Sequence, residues 1–579
     1  MMTEPVNLAT LDANKNFPKF MNPFDTHGVF DGVAPYSLIE QRMMKVLEAI
    51  KDKPYWYEKI KDENIRNKWR AEITNQNVFS HESHLQYVFD ELIYFSNLSS
   101  RQLSPASVDG VWMSDHIIDD VLRQRLSGLA APLEATCTDF HPGSNEQMLD
   151  LVHPHMHLYV NGLSKEVVDE NLPWSEFIGA GDVVERATKL DVSKSYDKYE
   201  EQEYVDIMTS ATYQWLPSEV HVDGAGKCKF LSYINNLHPY KHAELCGVLE
   251  QVLEKFIPLF NQVLTDLAYV PLSIFNSDPP HYWQPGWSHH SHFNVRDRRH
   301  KPNMYSNKLW ILPESLKAGR PSAVGCAPGV GSAVTTVIVE GDEAEASPAV
   351  DEWEHWEDDY EYFSAHKILD PAYKVVPPFQ PPAPVDPVDL KGSRLQVIVK
   401  LANIILTPDK PEYNGGNWHI EGMKNECIVA SGIHYWHSEN ITESNLSFRT
   451  SITPPEYEQC DDRAVLEVYC LATEMPLVQD IGSVTCVQGR SLAWPNILQH
   501  KVEGFRLEDP TKPGVRKILV FFLVDPGLRV LSTAHIPPQQ QAWMEMELDR
   551  LQVFSRFLHQ YVILSCNMHG TSLTSGPCR

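Results

Sequence analysis

Leu395-Gln396-Val397-Ile398-Val399-Lys400-Leu401, Cys427-Ile428-Val429-Ala430-Ser431-Gly432-Ile433-His434-Tyr435-Trp436 and Leu446-Ser447-Phe448-Arg449-Thr450-Ser451-Ile452 have the periodicity of strands, and their reading decides the fold. Three further runs, Arg490 to Trp494, Leu498 to Leu507 and Arg516 to Val524, follow the same pattern. Six strands divided by short, turn-rich loops predict an antiparallel sandwich or barrel of the double-stranded β-helix, or jelly-roll, kind. A helix is predicted after them, from Gln540 to about Leu564, apolar at Trp543, Leu548, Leu551 and Phe554.

Upstream of the strands the spacing changes. Apolar residues recur at three and four positions in Leu38 to Ile50 and in His84 to Leu98, so the first part of the chain is predicted to be helical and to wrap a core formed later. Between Val108 and Glu250 the reading is mixed and mainly helical, with helices near Asp115 to Leu126 and from about His242 to Leu267. From Ala318 to Asp389 the prolines at 371, 377, 378, 381, 382, 384 and 387 and the acidic-aromatic run at 351–363 mark a connector or lid, because proline removes backbone donors and favours extended chain. The expected organisation is α+β: a helical region (1–110), a mixed, mainly helical region packing on the core (111–317), the connector (318–390), a jelly-roll catalytic core (391–538), and a C-terminal helix and tail (539–579).

The chemistry is concentrated in Tyr413-Asn414-Gly415-Gly416-Asn417-Trp418-His419-Ile420-Glu421-Gly422. Strand residues two apart face the same side, so His419 and Glu421 can present an imidazole and a carboxylate to one ion. Two histidines and a carboxylate on one side of a metal leave positions open for a bidentate co-substrate and for oxygen, the arrangement suited to iron(II). His500, on a later strand, is the expected third ligand. Beyond it the turn Asp509-Pro510-Thr511-Lys512-Pro513-Gly514 returns the chain with Arg516 near the head of the next strand. A guanidinium there can clamp the remote carboxylate of a dicarboxylate whose other end chelates the metal, with Lys517 on the opposite face as the alternative. Lys400 and Asn403, on the strand before the HxE loop, are further candidates for the co-substrate.

Bulk composition limits the partners. With 49 Lys and Arg against 77 Asp and Glu, the formal charge of −28 argues against a nucleic-acid partner and favours a small-molecule ligand. No apolar run reaches the roughly 18 residues that would suggest a membrane span, and Met1-Met2-Thr3-Glu4-Pro5-Val6-Asn7 lacks the basic and apolar regions of a signal peptide. Ten scattered cysteines without a CxxC pair fit a reducing, cytoplasmic setting. The oligomeric state stays open.

Phrases spread over residues 30–545 resemble a known family, the fungal domain-of-unknown-function family 4246. They include Gly110-Val111-Trp112-Met113-Ser114-Asp115, Leu149-Asp150-Leu151-Val152-His153-Pro154, Tyr213-Gln214-Trp215-Leu216-Pro217-Ser218 and Leu231-Ser232-Tyr233-Ile234-Asn235-Asn236-Leu237-His238-Pro239. More specific are Gly415 to Gly422, Glu439-Asn440-Ile441-Thr442-Glu443-Ser444, and Asp509 to Gly514 leading into Arg516-Lys517-Ile518-Leu519. The HxE and distal His-Arg blocks are similar to those of iron(II)/2-oxoglutarate oxygenases, which implies Fe(II), 2-oxoglutarate and O2 as cofactor and co-substrates. That superfamily more often carries Asp where this chain has Glu421. Its halogenating members lack the carboxylate, so Glu421 points to oxygen-derived chemistry.

The resemblance implies oxidation of an unactivated C–H bond in a small molecule of fungal specialised metabolism. An amino acid or related acid is expected, with hydroxylation or oxidative cyclisation such as aziridine formation as the outcome. Tyr213, Trp215, Tyr233 and Asn235 are candidate pocket residues, and Arg449 is a candidate anchor for a substrate carboxylate. Ser288-His289-His290-Ser291-His292 reads as a loop or rim segment more than as a metal cluster. Two other functions stay open: a jelly-roll dioxygenase that does not use 2-oxoglutarate, and a non-catalytic interaction module.

Overall fold

A computed structural model describes residues 16–24, 35–36, 38–79, 81–186, 193–194, 203–204, 208–268, 379, 386–452, 469–471 and 475–551. The histidine-rich stretch 288–292 and the acidic-aromatic run 351–363 lie outside the described residues.

The strands used below are β1 (Ser104–Pro105), β2 (Trp112–Ser114), β3 (Met148–Val152), β4 (Ser218–Val222), β5 (Cys228–Phe230), β6 (Ser393–Leu406), β7 (Ile428–Glu439), β8 (Asn445–Ser451), β9 (Val478–Thr485), β10 (Ser491–Pro495), β11 (Gln499–Val502) and β12 (Gly514–Val524). Nine of them form one antiparallel sheet in the order β1-β2-β10-β7-β12-β6-β4-β5, with β3 paired to β6 beside β4. Three more, β9-β8-β11, form a smaller antiparallel sheet. Both sheets are open, and no barrel closes among the described residues. Side chains from the two sheets, Phe448 and Ile481 of the small one and Ile433 and Trp494 of the large one, share a single apolar core.

The long strands β6 and β12 are buried on both faces. One face is covered by the helix α5 (Ala243–Ala268), apolar at Leu245, Leu249, Val252, Phe256, Phe260 and Val263, a helical spacing that puts these residues on the sheet. Phe256 meets Phe521 of β12 edge-on at 5.5 Å and lies over Gly432 of β7, the cross-strand partner of Phe521. The helix α4 (Asp120–Thr136) packs beside α5. It starts later than the sequence spacing suggests, because Asp119 caps it by accepting the Leu122 amide, while Ser114 Oγ holds a turn ahead of it through the amides of His116 and Ile117.

The N-terminal helices α1 (Leu38–Lys51), α2 (Glu63–Asn75) and α3 (Glu82–Leu98) enclose a separate cluster that includes Trp56, Ile60, Trp69, Val88, Phe89 and Phe95. That part of the chain is helical as expected. The segment from 111 onward does more than pack on the core, since β2, β3, β4 and β5 extend the large sheet itself. The last helix, α6, is described as Gln541–Leu551. Among the described residues no helix is long and apolar enough to cross a membrane. Among the described cysteines Cys470 is disulfide-bonded, while Cys137, Cys228, Cys246, Cys427 and Cys486 are free.

The packing of α5 on the sheet leaves no room at Gly432, where an added Cβ would lie 2.7 Å from Phe256 Cδ1 and 2.9 Å from Phe260 Cζ. Gly432→Ala is therefore expected to destabilise the chain by about 1–3 kcal/mol. In urea unfolding the midpoint should fall with an unchanged slope, and a wild-type midpoint would show that the helix can shift to make room.

Candidate metal centre

His419, Glu421 and His500 are brought together where the loop 414–421 lies against β11. The two histidines are joined through their backbones: the His419 amide donates to the His500 carbonyl at 3.1 Å, and the His500 amide to the His419 carbonyl at 2.9 Å. Just before them the Gly416 amide donates to the Val502 carbonyl at 2.9 Å. Gly415 has φ +90°, and a Cβ there would stand 2.6 Å from the Val502 oxygen, so the Gly-Gly pair is what allows the loop so close to β11.

A regular strand through His419 and Glu421 is not formed. A single bridge at His419 is followed by a bend, and a second device fixes Glu421. That device is Asn496, fully buried, whose amide donates to the carbonyls of Glu421 at 2.9 Å and Ile428 at 3.0 Å while its oxygen accepts the Glu421 amide at 2.8 Å. The sequence reading passed over Asn496, because such a clamp leaves no periodicity behind.

Glu421 Oε1 lies 3.7 Å from His419 Nε2 and 3.3 Å from His500 Nε2. Three ligand atoms at right angles around a divalent ion at about 2.1 Å would stand roughly 3 Å apart, so this set fits with slight closure. His419 Nδ1 donates to the Asn417 carbonyl at 2.8 Å, which leaves Nε2 free to ligate. His500 is held by Trp494, edge-on at 4.9 Å, and is buried, whereas His419 is half-exposed. Burial alone would raise the Glu421 pKa, but its contacts with His419 and His500 outweigh that and hold it well below the usual carboxylate range. Burial lowers His500, reinforced by His419 and opposed by Glu421. The donors are thus an anionic carboxylate with two imidazoles, one of them favoured in its neutral form.

Arg516 sits deeper. It is 1% exposed, and its Nη1 donates to Ser444 Oγ at 2.6 Å. Its guanidinium carbon lies 4.5 Å from the Phe505 ring centre and 5.6 Å from that of Tyr435, and its Nε has no hydrogen-bond partner. No carboxylate among the described residues forms an ion pair with it. Because Arg516 pairs with Ile404 and Lys400 with Val520, alternation puts Arg516, Lys400 and Ile404 on one face of the sheet. Trp494, which pairs with Ser431 and through it with Phe522 on this face, meets His500 edge-on, so this face is the one turned toward the triad.

Asn403 is corrected by the same parity. It pairs with Lys517, and both reach Glu134 of α4 on the opposite, helix-covered face, at 2.9 and 2.7 Å. Lys517 is thereby removed as the alternative to Arg516. Of the expected pocket residues, Trp215 lies 5.9 Å from Phe522 by ring centres, and Phe522 shares the face of Arg516. Tyr213 is exposed, and its carbonyl accepts from Asn425. Tyr233 donates to the Ile536 carbonyl at 2.9 Å and packs on Trp174 and Trp543, while Asn235 bonds the carbonyls of Met156 and His157, so both belong to loop packing. Arg449 stands at the rim, 4.6 Å from the ring centre of Trp418 and bonded through Nε to Gln499 at 2.6 Å.

The profile of the family described as "Protein of unknown function (DUF4246)" matches residues 82–547, and that of its N-terminal domain matches residues 4–72. No curated protein matches the chain. Among solved structures, the Fe(II)/(alpha)ketoglutarate-dependent dioxygenase TqaL is 15% identical over 28% of this chain and 53% of its own, with a TM-score of 0.17. IDO from Bacillus thuringiensis is 13% identical over 22% of this chain and 45% of its own, with a TM-score of 0.14. A bsmA homolog from Methylobium petroleophilum PM1 is 12% identical over 24% of this chain and 45% of its own, with a TM-score of 0.15. The chain spans about half the length of these proteins, and scores so low lend no weight to a shared fold.

Asn496 offers a test of the clamp on Glu421. Asn496→Ala strands the groups it bonds and frees the Glu421 backbone, so metal affinity should fall about 10–100-fold, the usual effect of removing a group that orients a ligand. Anaerobic titration with Fe(II) measures this. Wild-type affinity in a folded variant would mean that the His419–His500 bridge alone orients the site.

Proposed function

Because the chain belongs to the DUF4246 family, whose description names no activity, we propose its function from the site: an iron(II)/2-oxoglutarate-dependent dioxygenase that oxidises a C–H bond of a small amino acid or related acid. The observation that carries this reading is a buried arginine without an acidic partner, on the same sheet face as a two-histidine, one-carboxylate cluster. A buried guanidinium is costly unless an anion meets it, and a dicarboxylate that also reaches the metal is such an anion. The nine-stranded and three-stranded sheets are read here as the two halves of a jelly roll.

In this reading His419, Glu421 and His500 hold iron(II) from one side. Iron(II) held there, with 2-oxoglutarate and dioxygen as co-substrates, would supply the oxidising power that an unactivated C–H bond requires, with succinate and carbon dioxide as the co-products. Arg516, oriented by Ser444 and flanked by Tyr435 and Phe505, takes the far carboxylate of 2-oxoglutarate. Lys400 adds positive charge on the same face and favours an anionic ligand there. The apolar face of Ile518, Val520 and Phe522, closed at one end by Trp215, keeps water from the reacting centre. Arg449, beside Trp418 and cross-strand from Asp480, would be the anchor for a substrate carboxylate.

Anaerobic loading with Fe(II) and 2-oxoglutarate, followed by oxygen and a panel of amino acids, should give succinate in step with oxidised substrate. Oxidation without succinate would indicate a dioxygenase that does not use 2-oxoglutarate, and a chain that binds no iron would indicate an interaction module. Arg516→Gln should raise the 2-oxoglutarate requirement about 30-fold or more, corresponding to the lower end of the roughly 2–5 kcal/mol lost when a buried charge pair is truncated. Fe(II) affinity should change little, and an unchanged 2-oxoglutarate requirement would remove Arg516 from this role.

A further inference from the structure

We propose that His141, Asp150, His153 and His155 form a second metal site, closed and structural, for a zinc-like divalent cation. The site is built by a hairpin. The His141 amide donates to the Met148 carbonyl at 2.8 Å and the Asp150 amide to the Asp139 carbonyl at 2.9 Å, which lays His141 beside Asp150. After β3 ends at Val152 the chain turns at once, with the Met156 amide on the His153 carbonyl at 3.0 Å, and this turn brings two more imidazoles back over the same carboxylate.

Asp150 Oδ2 lies 2.8 Å from His141 Nδ1, 3.9 Å from His155 Nδ1 and 4.0 Å from His153 Nε2, and the four ligand atoms all fall within 4.8 Å of one another. Tetrahedral ligands at zinc distances stand about 3.4 Å apart, so the observed separations bracket the requirement. The His155 amide donates to His153 Nδ1 at 3.2 Å, so ligation through Nε2 requires the ring proton to move to Nδ1 and this hydrogen bond to be given up.

Charge points the same way. Asp150 is fully buried, and its Oδ1 has no hydrogen-bond partner. A cation among the three imidazoles would give this buried carboxylate the partner it lacks. Of the other charged groups that act on these histidines, Lys400 opposes a cation and Asp139 favours one. Three imidazoles and a carboxylate are a zinc donor set, and four protein ligands leave no position for substrate. Since Asp150 pairs with Ala402, the ion would pin the hairpin to β6 two residues from Lys400.

The test uses the full chain carrying His500→Ala, so that the first centre is disabled, stripped of metal and titrated with Co(II) or Zn(II). One equivalent should bind, with the strong visible absorption of four-coordinate Co(II), and Zn(II) should raise the unfolding temperature. His141→Ala and His155→Ala, each added to that background at a partly exposed position where folding is tolerant, should abolish the equivalent and the absorption. The proposal is overturned if the His500→Ala chain shows no four-coordinate Co(II), or if both added variants keep it.

Discussion

Alternation along β6 and β12 is the constraint from which the rest of the molecule follows. Both strands are buried on both sides, so each successive residue must suit one of two different surroundings. Val399 and Phe521 face α5 and the aromatic packing of Phe256, and Asn403 and Lys517 on the same side are neutralised by Glu134. The intervening residues, Lys400, Ala402, Ile404, Arg516 and Val520, form the other wall. A slip of one residue in this pairing would put Arg516 among the phenylalanines and Phe521 beside the triad, so the hydrophobic demand of α5 also sets the register of the polar face.

The metal centre adds a second, local constraint. Its three side chains come from a loop and a short strand, elements with little rigidity of their own. Geometry is imposed through backbone bonds: the reciprocal pair between His419 and His500, the Gly416 bond to Val502, and the grip of Asn496 on Glu421. Each bond contributes only about 1 kcal/mol net to stability, but all act on the same few residues and limit their freedom in common. Trp494 and Phe448 then fill the space around His500, so that its ring has one orientation available.

How much of this was legible in the sequence follows from the range over which each signal acts. Strands long enough to show a period, such as those containing Leu395–Leu401 and Arg516–Val524, were read in place, and so was α5 with its helical stripe of apolar residues. The short strands β2, β3 and β5 have three to five residues, too few for a period, and join the sheet only because β10, β6 and β4 respectively offer them backbone partners. Lys400 and Asn403 could not both face the cavity, since residues three apart on a strand point to opposite sides; local alternation gives this, and only tertiary packing says which side is which. Asn235 and Tyr233 looked like pocket residues because amides and phenols suit pockets, yet the same groups satisfy loop carbonyls here. The grip of Asn496 on Glu421 joins segments 75 positions apart and no window along the sequence contains it, whereas His141, Asp150, His153 and His155 lie in one short stretch and only the hairpin turns their side chains together.

The two histidine clusters and the two interior cations are best understood together. A chain with formal charge −28 has no shortage of carboxylates, yet no described one reaches Arg516, whereas other buried arginines have them: Arg394 is met by Glu219 and Glu170, and Arg490 by Asp115. The difference is therefore specific to this wall and not a matter of composition. An internal carboxylate at Arg516 would satisfy the guanidinium and close it to an incoming anion, while a bare one carries a desolvation cost of several kcal/mol that the fold must offset elsewhere. The apolar packing of β6 and β12 against α5 is the largest available offset, because it is continuous over the same strands that carry Arg516 and Lys400. Lys400 lies within electrostatic reach of His419 and of His153 and His155, so one cation bears on both clusters. Among the described residues a carboxylate, Glu421 or Asp150, stands directly among the imidazoles of each cluster, and it is there that a cation would be met by negative charge.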